Sequence, residues 1–241
     1  MARKQLDEIA LGCPNVRDGE VTKYRLLAQD DGEIVGHITR SVQRTQDNGK
    51  EVYRVFSRTE SVTGAVLEDS AVMEIANTLK PLSSQWITRN KNGNILMDAR
   101  INHEDDTVQL PLNSGTPAAI TFNFRGGPFL PKEKIAFYTM VLGGQSFKFY
   151  METSREKVKV PAGNFDCYKL KLTGDADSMI SQMPGKKMPP GMGMFAQHII
   201  PTMYRWVTQD EPHYMVKFEG YYGPPFPVSD TVIEELISIE Q

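Results

Sequence analysis

Apolar and polar residues alternate with a period of two through much of the chain. Phe147, Phe149 and Met151 fall on one side with Ser146 and Lys148 on the other, and Tyr168, Leu170 and Leu172 oppose Lys169 and Lys171. A period of two is that of a strand with one face buried and one wet. β-Branched and aromatic runs predict strands near 21–29, 33–45, 51–62, 70–76, 83–90, 94–102, 118–124, 134–142, 145–160, 165–173, 203–209, 213–220 and 231–239. Between them stand Asp31-Gly32, Asn48-Gly49, Asn92-Gly93 and Gly143-Gly144, dipeptides suited to tight hairpin turns. The pattern predicts an all-β fold: one strongly curved antiparallel meander, an open or incomplete barrel.

A helical stripe of Val72, Ile75, Ala76 and Leu79 competes with this reading, but Asn77 and Pro81 interrupt it. Two strands joined by a turn at residues 77–81 fit the meander better. One short helix is expected near 192–200, between a glycine-rich stretch and Pro201. No linker or internal repeat divides the sequence, so residues 1–241 read as one β domain with an amino-terminal arm (1–19) and a Met/Gly/Pro-rich insertion (178–202).

The 241 residues are 40% hydrophobic and 24% charged, a globular composition. A formal net charge of −3 with scattered basic residues gives no electrostatic basis for nucleic-acid binding. No apolar run reaches the roughly 18 residues of a membrane helix, and the first residues lack the apolar core of a signal peptide. Ala10-Leu11-Gly12-Cys13 is a faint lipoprotein-like tetrad, but without a preceding apolar segment no lipidation is expected. Of the two cysteines, Cys167 is expected to pack as a small hydrophobe in a strand and Cys13 to be a free thiol, with one bridge as the alternative.

Candidate chemistry is sparse. His37, His103, His198 and His213 lie far apart without metal-ligand spacing, no Gly-x-Ser-x-Gly elbow is present, and Gly126-Gly127-Pro128 does not open a helix. Neither a catalytic set nor a cofactor site is expected. The most unusual segment holds six of the twelve methionines: Met179, Met183, Met188, Met192, Met194 and Met203. Flexible, polarizable thioethers suit a shape-variable apolar ligand. Met179, Met183, Met188, Met192, Met194, Phe195 and Ile199 are therefore expected to form a flap over the sheet, with Tyr204 and Trp206 at its base. Two other readings stay open for this segment: an adaptable plug or surface loop, and a Cu(I) surface made by Met188, Met192, Met194 and His198.

Four features in order carry a family resemblance. They are Tyr24-Arg25 leading to Gly32 and Gly36, the turn Thr78-Leu79-Lys80-Pro81-Leu82, the segment from Glu156 to Cys167 containing Val160-Pro161-Ala162-Gly163-Asn164-Phe165-Asp166, and a late Trp206 strand ending in an acidic, proline-containing turn. Together they resemble a family of uncharacterised exported bacterial β proteins, related in architecture to the half-barrel carriers of lipoproteins and lipids in the periplasm. The resemblance implies a cell-envelope location and a curved sheet holding a lipid or other apolar ligand; a non-enzymatic role is expected, with an enzyme whose site is assembled from residues distant in sequence left open. An envelope protein–protein interaction module without a small ligand is the alternative, and the cytoplasm is the alternative location.

Overall fold

The computed structural model describes residues 15–75, 79–102, 107–109, 125, 129–131, 133–141, 145–174, 202–221 and 231–240. Among them are thirteen strands: β1 (Val21–Ala28), β2 (Ile34–Asp47), β3 (Lys50–Ser61), β4 (Val66–Ile75), β5 (Leu79–Arg89), β6 (Ile95–Asn102), β7 (Thr107–Gln109), β8 (Lys134–Val141), β9 (Gln145–Val160), β10 (Gly163–Gly174), β11 (Met203–Thr208), β12 (Met215–Tyr221) and β13 (Thr231–Glu240). The all-β expectation is borne out. The short β7 was not expected. The strand expected at 118–124, the Gly143-Gly144 turn and the helix near 192–200 lie outside the described residues.

All thirteen strands form one antiparallel sheet, in the order β7-β6-β5-β4-β3-β2-β1-β13-β12-β11-β10-β9-β8. Each half is a meander, and the two halves are joined where β1 pairs with β13, Val21 opposite Glu240 and Ala28 opposite Val232. The first and last strands therefore lie in the middle of the sheet, and among the described residues its edges are β7 and β8. The sheet stays open.

Local turn chemistry follows the sequence. Asn48 and Gly49 both take positive φ, 49° and 80°, which matches the right-handed twist of the β2–β3 hairpin. Pro161 and Ala162 connect Val160 to Gly163 in the paired hairpin β9–β10. Residues 76–78 lie outside the described residues, and β5 begins at Leu79, inside the turn expected at 77–81. Pro81 is accommodated opposite Met73, beside a register shift between Val72 and Met73. A bulge of this kind is where a strand tolerates a residue with no N–H.

Burial follows the alternation. Thr22, Tyr24, Leu26 and Ala28 of β1 are buried while their neighbours are half-exposed. The same holds for Ile38, Arg40 and Val42, for Leu67, Asp69, Ala71 and Met73, and for Val232, Glu234 and Leu236. In β9 the buried side changes: Met151 and Thr153 are buried, then Val158 and Val160, although the β9–β10 ladder has no register shift. The two ends of this hairpin thus bury opposite faces. At its tip Ala162 N donates to Leu236 O at 3.1 Å, reaching β13 from a hairpin several strands away in the sheet. That contact leaves the ladder, so the sheet coils.

Candidate functional site

Register places polar residues side by side on the buried face. One row runs Thr22, Arg40, Ser57, Asp69, Trp86 and Ala99 across β1 to β6. The next runs Leu236, Tyr24, Ile38, Thr59, Leu67, Thr88 and Met97. A third crosses the other half through Leu26, Glu234, Phe218, Arg205, Leu170 and Thr153. The interior therefore carries a polar band within an apolar frame. On one flank of the band pack Val16, Val42, Tyr53, Val55, Ala71 and Met73, and near the other edge Met151, Leu170 and Leu172.

Six charged residues are buried among those described: Glu20, Asp69 and Glu234 against Arg40, Arg125 and Arg205. The signs balance, as burial of charge demands. Arg125 Nη1 donates to Glu20 Oε1 at 2.7 Å, and Arg125 Nε to Pro212 O at 2.9 Å. Its guanidinium lies 5.0 Å from the centre of the Tyr214 ring. Arg40 lies 4.9 Å from the centre of the Tyr24 ring and approaches Glu234 Oε2 at 3.8 Å, an ion pair too long for a hydrogen bond. Burial raises the Tyr24 phenol above its ordinary range, against the lowering effect of Arg40. Burial and then the Glu20 carboxylate raise Tyr214 in the same direction. Both phenols stay protonated donors at neutral pH.

Several buried polar atoms have no hydrogen-bond partner among the described residues: Trp86 Nε1, Thr88 Oγ1, Thr153 Oγ1 and Glu234 Oε2. Native interiors leave few such groups, since each costs on the order of 1–3 kcal/mol.

Of the residues expected at a binding flap, Met179, Met183, Met188, Met192, Met194, Phe195 and Ile199 lie outside the described residues, as does His198. Tyr204 and Trp206 are on β11, ring centroids 6.0 Å apart. Trp206 stands on the face opposite Arg205, between its register partners Lys169 and Lys217, whose ammoniums lie 4.9 and 5.1 Å from its ring centre. Trp206 Nε1 donates to Glu156 Oε2 at 3.2 Å, and Lys169 Nζ pairs with the same oxygen at 2.9 Å. Those contacts, the Lys169 bond foremost, hold the Glu156 carboxyl below its usual range. The aromatic pair and the buried band thus occupy opposite faces.

The other expectations fall as follows. His37 is exposed in β2. His213 Nδ1 lies 2.8 Å from Thr208 O, and its ring meets Phe129 edge-on at 4.8 Å, so it packs at the β11–β12 turn. Cys167 is a free, buried thiol whose pKa burial pushes up to about 12. Two open grooves add surface space. One of about 750 Å³ is lined by Lys50, Arg54, Gln85, Arg100 and Asn102. The other, of about 370 Å³, is lined by Lys134, Glu152, Lys169, Lys171 and Tyr204. Both are lined chiefly by polar side chains.

Sequence reasoning missed the band, although a signal for it existed. Arg40 sits between Ile38 and Val42, Asp69 between Leu67 and Ala71, and Glu234 between Val232 and Leu236. Each is a charge at a core-facing position of its own strand.

Comparison with known proteins gives a family. The profile of the protein family of unknown function DUF3108 matches residues 20–222. No curated protein matches the sequence. Among solved structures, a protein provisionally described as a lipoprotein from Parabacteroides distasonis aligns with TM-score 0.44 and 12% identity, covering 96% of this chain and 99% of its own. A β-barrel-like protein of domain of unknown function DUF1849 from Brucella abortus aligns with TM-score 0.48 and 10% identity, covering 93% and 98%. A provisionally assigned exported protein with a YmcC-like fold from Bacteroides fragilis aligns with TM-score 0.35 and 14% identity, covering 96% and 100%.

Proposed function

The chain belongs to the DUF3108 family of proteins of unknown function, and from that membership and the geometry above we propose a non-enzymatic binding or carrier protein. Its ligand is a lipid or other amphiphile, held against the interior face of the open sheet. The observation that carries this reading is the polar band itself, in which Trp86 Nε1 and Thr88 Oγ1 have no hydrogen-bond partner among the described residues, inside an apolar frame. A sheet that needed only stability would gain from apolar residues at those positions. An amphiphile supplies apolar surface for the frame and polar atoms for the band. The Met/Gly/Pro-rich segment, with Met179, Met183, Met188, Met192, Met194, Phe195 and Ile199, is the proposed cover. Cell-envelope placement is part of the same proposal and rests on the sequence resemblance.

Native mass spectrometry of the purified protein, with organic extraction of bound material, tests the proposal. A co-purifying lipid, or uptake of added lipid by extracted protein, is the expected result. An apo mass with no uptake overturns it. The copper reading predicts Cu(I) competition with a chelator that disappears on replacing Met188, Met192 and Met194 by alanine.

A second reading, a protein-interaction module, is favoured by one surface feature. Ile34 is 47% exposed, Val62 66%, Ile95 55% and Leu96 57%, and all four stand where hairpin turns meet strands at one end of the sheet. A partner captured by the native chain and lost on V62E and L96E substitution would support that reading.

A further inference from the structure

Resting on the carrier reading, we propose that Trp86 and Thr88 are the polar anchor of the ligand, donating N–H and O–H to uncharged carbonyl oxygens of an acyl ester or amide. Both side chains are buried, with Trp86 3% and Thr88 1% exposed, and both project from β5 to the interior face. Neither Trp86 Nε1 nor Thr88 Oγ1 has a hydrogen-bond partner among the described residues. They are two residues apart on one strand, so their Cα atoms are about 6.6 Å apart. That spacing suits two acceptor oxygens of one ligand better than a single point charge.

The surroundings select the acceptor's charge. An indole N–H donates and cannot accept, so the ligand atom facing it carries a lone pair. Asp69 is the register partner of Trp86 on the same buried face, so an acidic side chain already stands beside the anchor. Among the described residues, the interior side chains of β4, β5 and β6 are Leu67, Asp69, Ala71, Met73, Ser84, Trp86, Thr88, Met97 and Ala99, and none of these is cationic. The nearest interior guanidinium in the row, on Arg40, belongs to β2, three strands from β5 and about 14 Å away at the backbone. A free carboxylate or phosphate would be poorly placed at β5. A neutral ester or amide carbonyl fits, with its chain on Leu67, Ala71, Met97 and Ala99.

Monoolein and oleate share an acyl chain and differ in this group: ester carbonyl against carboxylate. The test titrates each into extracted full-length protein, reading uptake by native mass spectrometry and tryptophan emission in parallel. Monoolein is expected to bind at least tenfold more tightly than oleate at pH 8 and to change an emission component that W86F lacks. T88V, nearly isosteric, is expected to weaken monoolein about three- to tenfold, the worth of one hydrogen bond. Its unfolding midpoint is expected to be unchanged or higher, because an unpaired buried hydroxyl has been removed. Monoolein uptake with the Trp86 emission unchanged and T88V equal to the native chain would overturn the anchor while leaving the carrier reading intact. Equal binding of oleate would overturn the uncharged acceptor. No uptake of either lipid would remove the carrier reading and this inference with it.

Discussion

Arg125 Nη1 and Glu20 Oε1 meet at 2.7 Å with side chains 7% and 1% exposed. The pair ties Arg125, which lies between β7 and β8 in sequence, to the residue that precedes β1 at the centre of the sheet. Removing one partner strands a buried charge. Replacing Arg125 by alanine is expected to cost about 3–5 kcal/mol in urea unfolding. The E20Q/R125M double variant, which strands neither charge, is expected to recover a large part of that loss. A single-variant loss under about 1 kcal/mol would show that water reaches Glu20.

Gly36 and Gly220 make a matched pair of substitutions. A Cβ at Gly36 would lie 2.6 Å from the backbone oxygen of Glu60, which is held by the β2–β3 ladder. At Gly220 the closest atom is Met203 Cγ at 2.7 Å, in a flexible thioether side chain that can turn aside, with Phe218 Cζ next at 2.9 Å. G36A is expected to destabilise by about 2–3 kcal/mol, at the upper range for overpacking, and G220A by less. Thermal unfolding of the two variants reads the order directly.

Alkaline pH should weaken the fold. The Tyr24 and Tyr214 phenols and the Cys167 thiol are all raised in the native state, each first by burial. Between the unfolded and folded pKa of each group the native state holds more protons than the unfolded state, so stability falls as pH rises. For Cys167 that window runs from about 9 to about 12. Replacing Cys167 by alanine is expected to flatten the decline there by at most about 1.4 kcal/mol per pH unit. Chemical denaturation at stepped pH measures it.

On the opposite face, the Glu156 carboxyl is lowered, chiefly by the Lys169 hydrogen bond and then by Trp206. A depressed carboxylate stabilises the fold above its unfolded pKa, and that contribution is lost as pH falls through the folded value. Because the site is partly exposed, E156Q is expected to cost under about 1 kcal/mol at neutral pH, less in high salt. The same substitution is expected to change Trp206 emission, since the bond to Nε1 weakens.

Much of this architecture was legible in the chain. The alternation at Phe147–Met151 and Tyr168–Leu172 marks strands because each residue's side is set by its own backbone. Asn48-Gly49 announces its turn because few other residues tolerate positive φ twice in succession. Pro161-Ala162-Gly163 announces another, because proline cannot donate to the ladder. Even the inward direction of Arg40, Asp69 and Glu234 was present as charges at core-facing positions. The Met-rich segment and its expected contacts remain outside what the fold describes.

Sequence by itself determined the all-β class, the strand positions and several hairpins, since these depend on residues within a few positions of one another. Tertiary structure decided that β1 pairs with β13 across more than 200 residues, that the edges among the described strands are β7 and β8, and that Thr22, Arg40, Ser57, Asp69 and Trp86 share one row. Those facts depend on register between distant segments, and a one-residue slip would send every side chain of a strand to the other face. The band, and with it the site proposed for the ligand, exists only once these strands have paired in register.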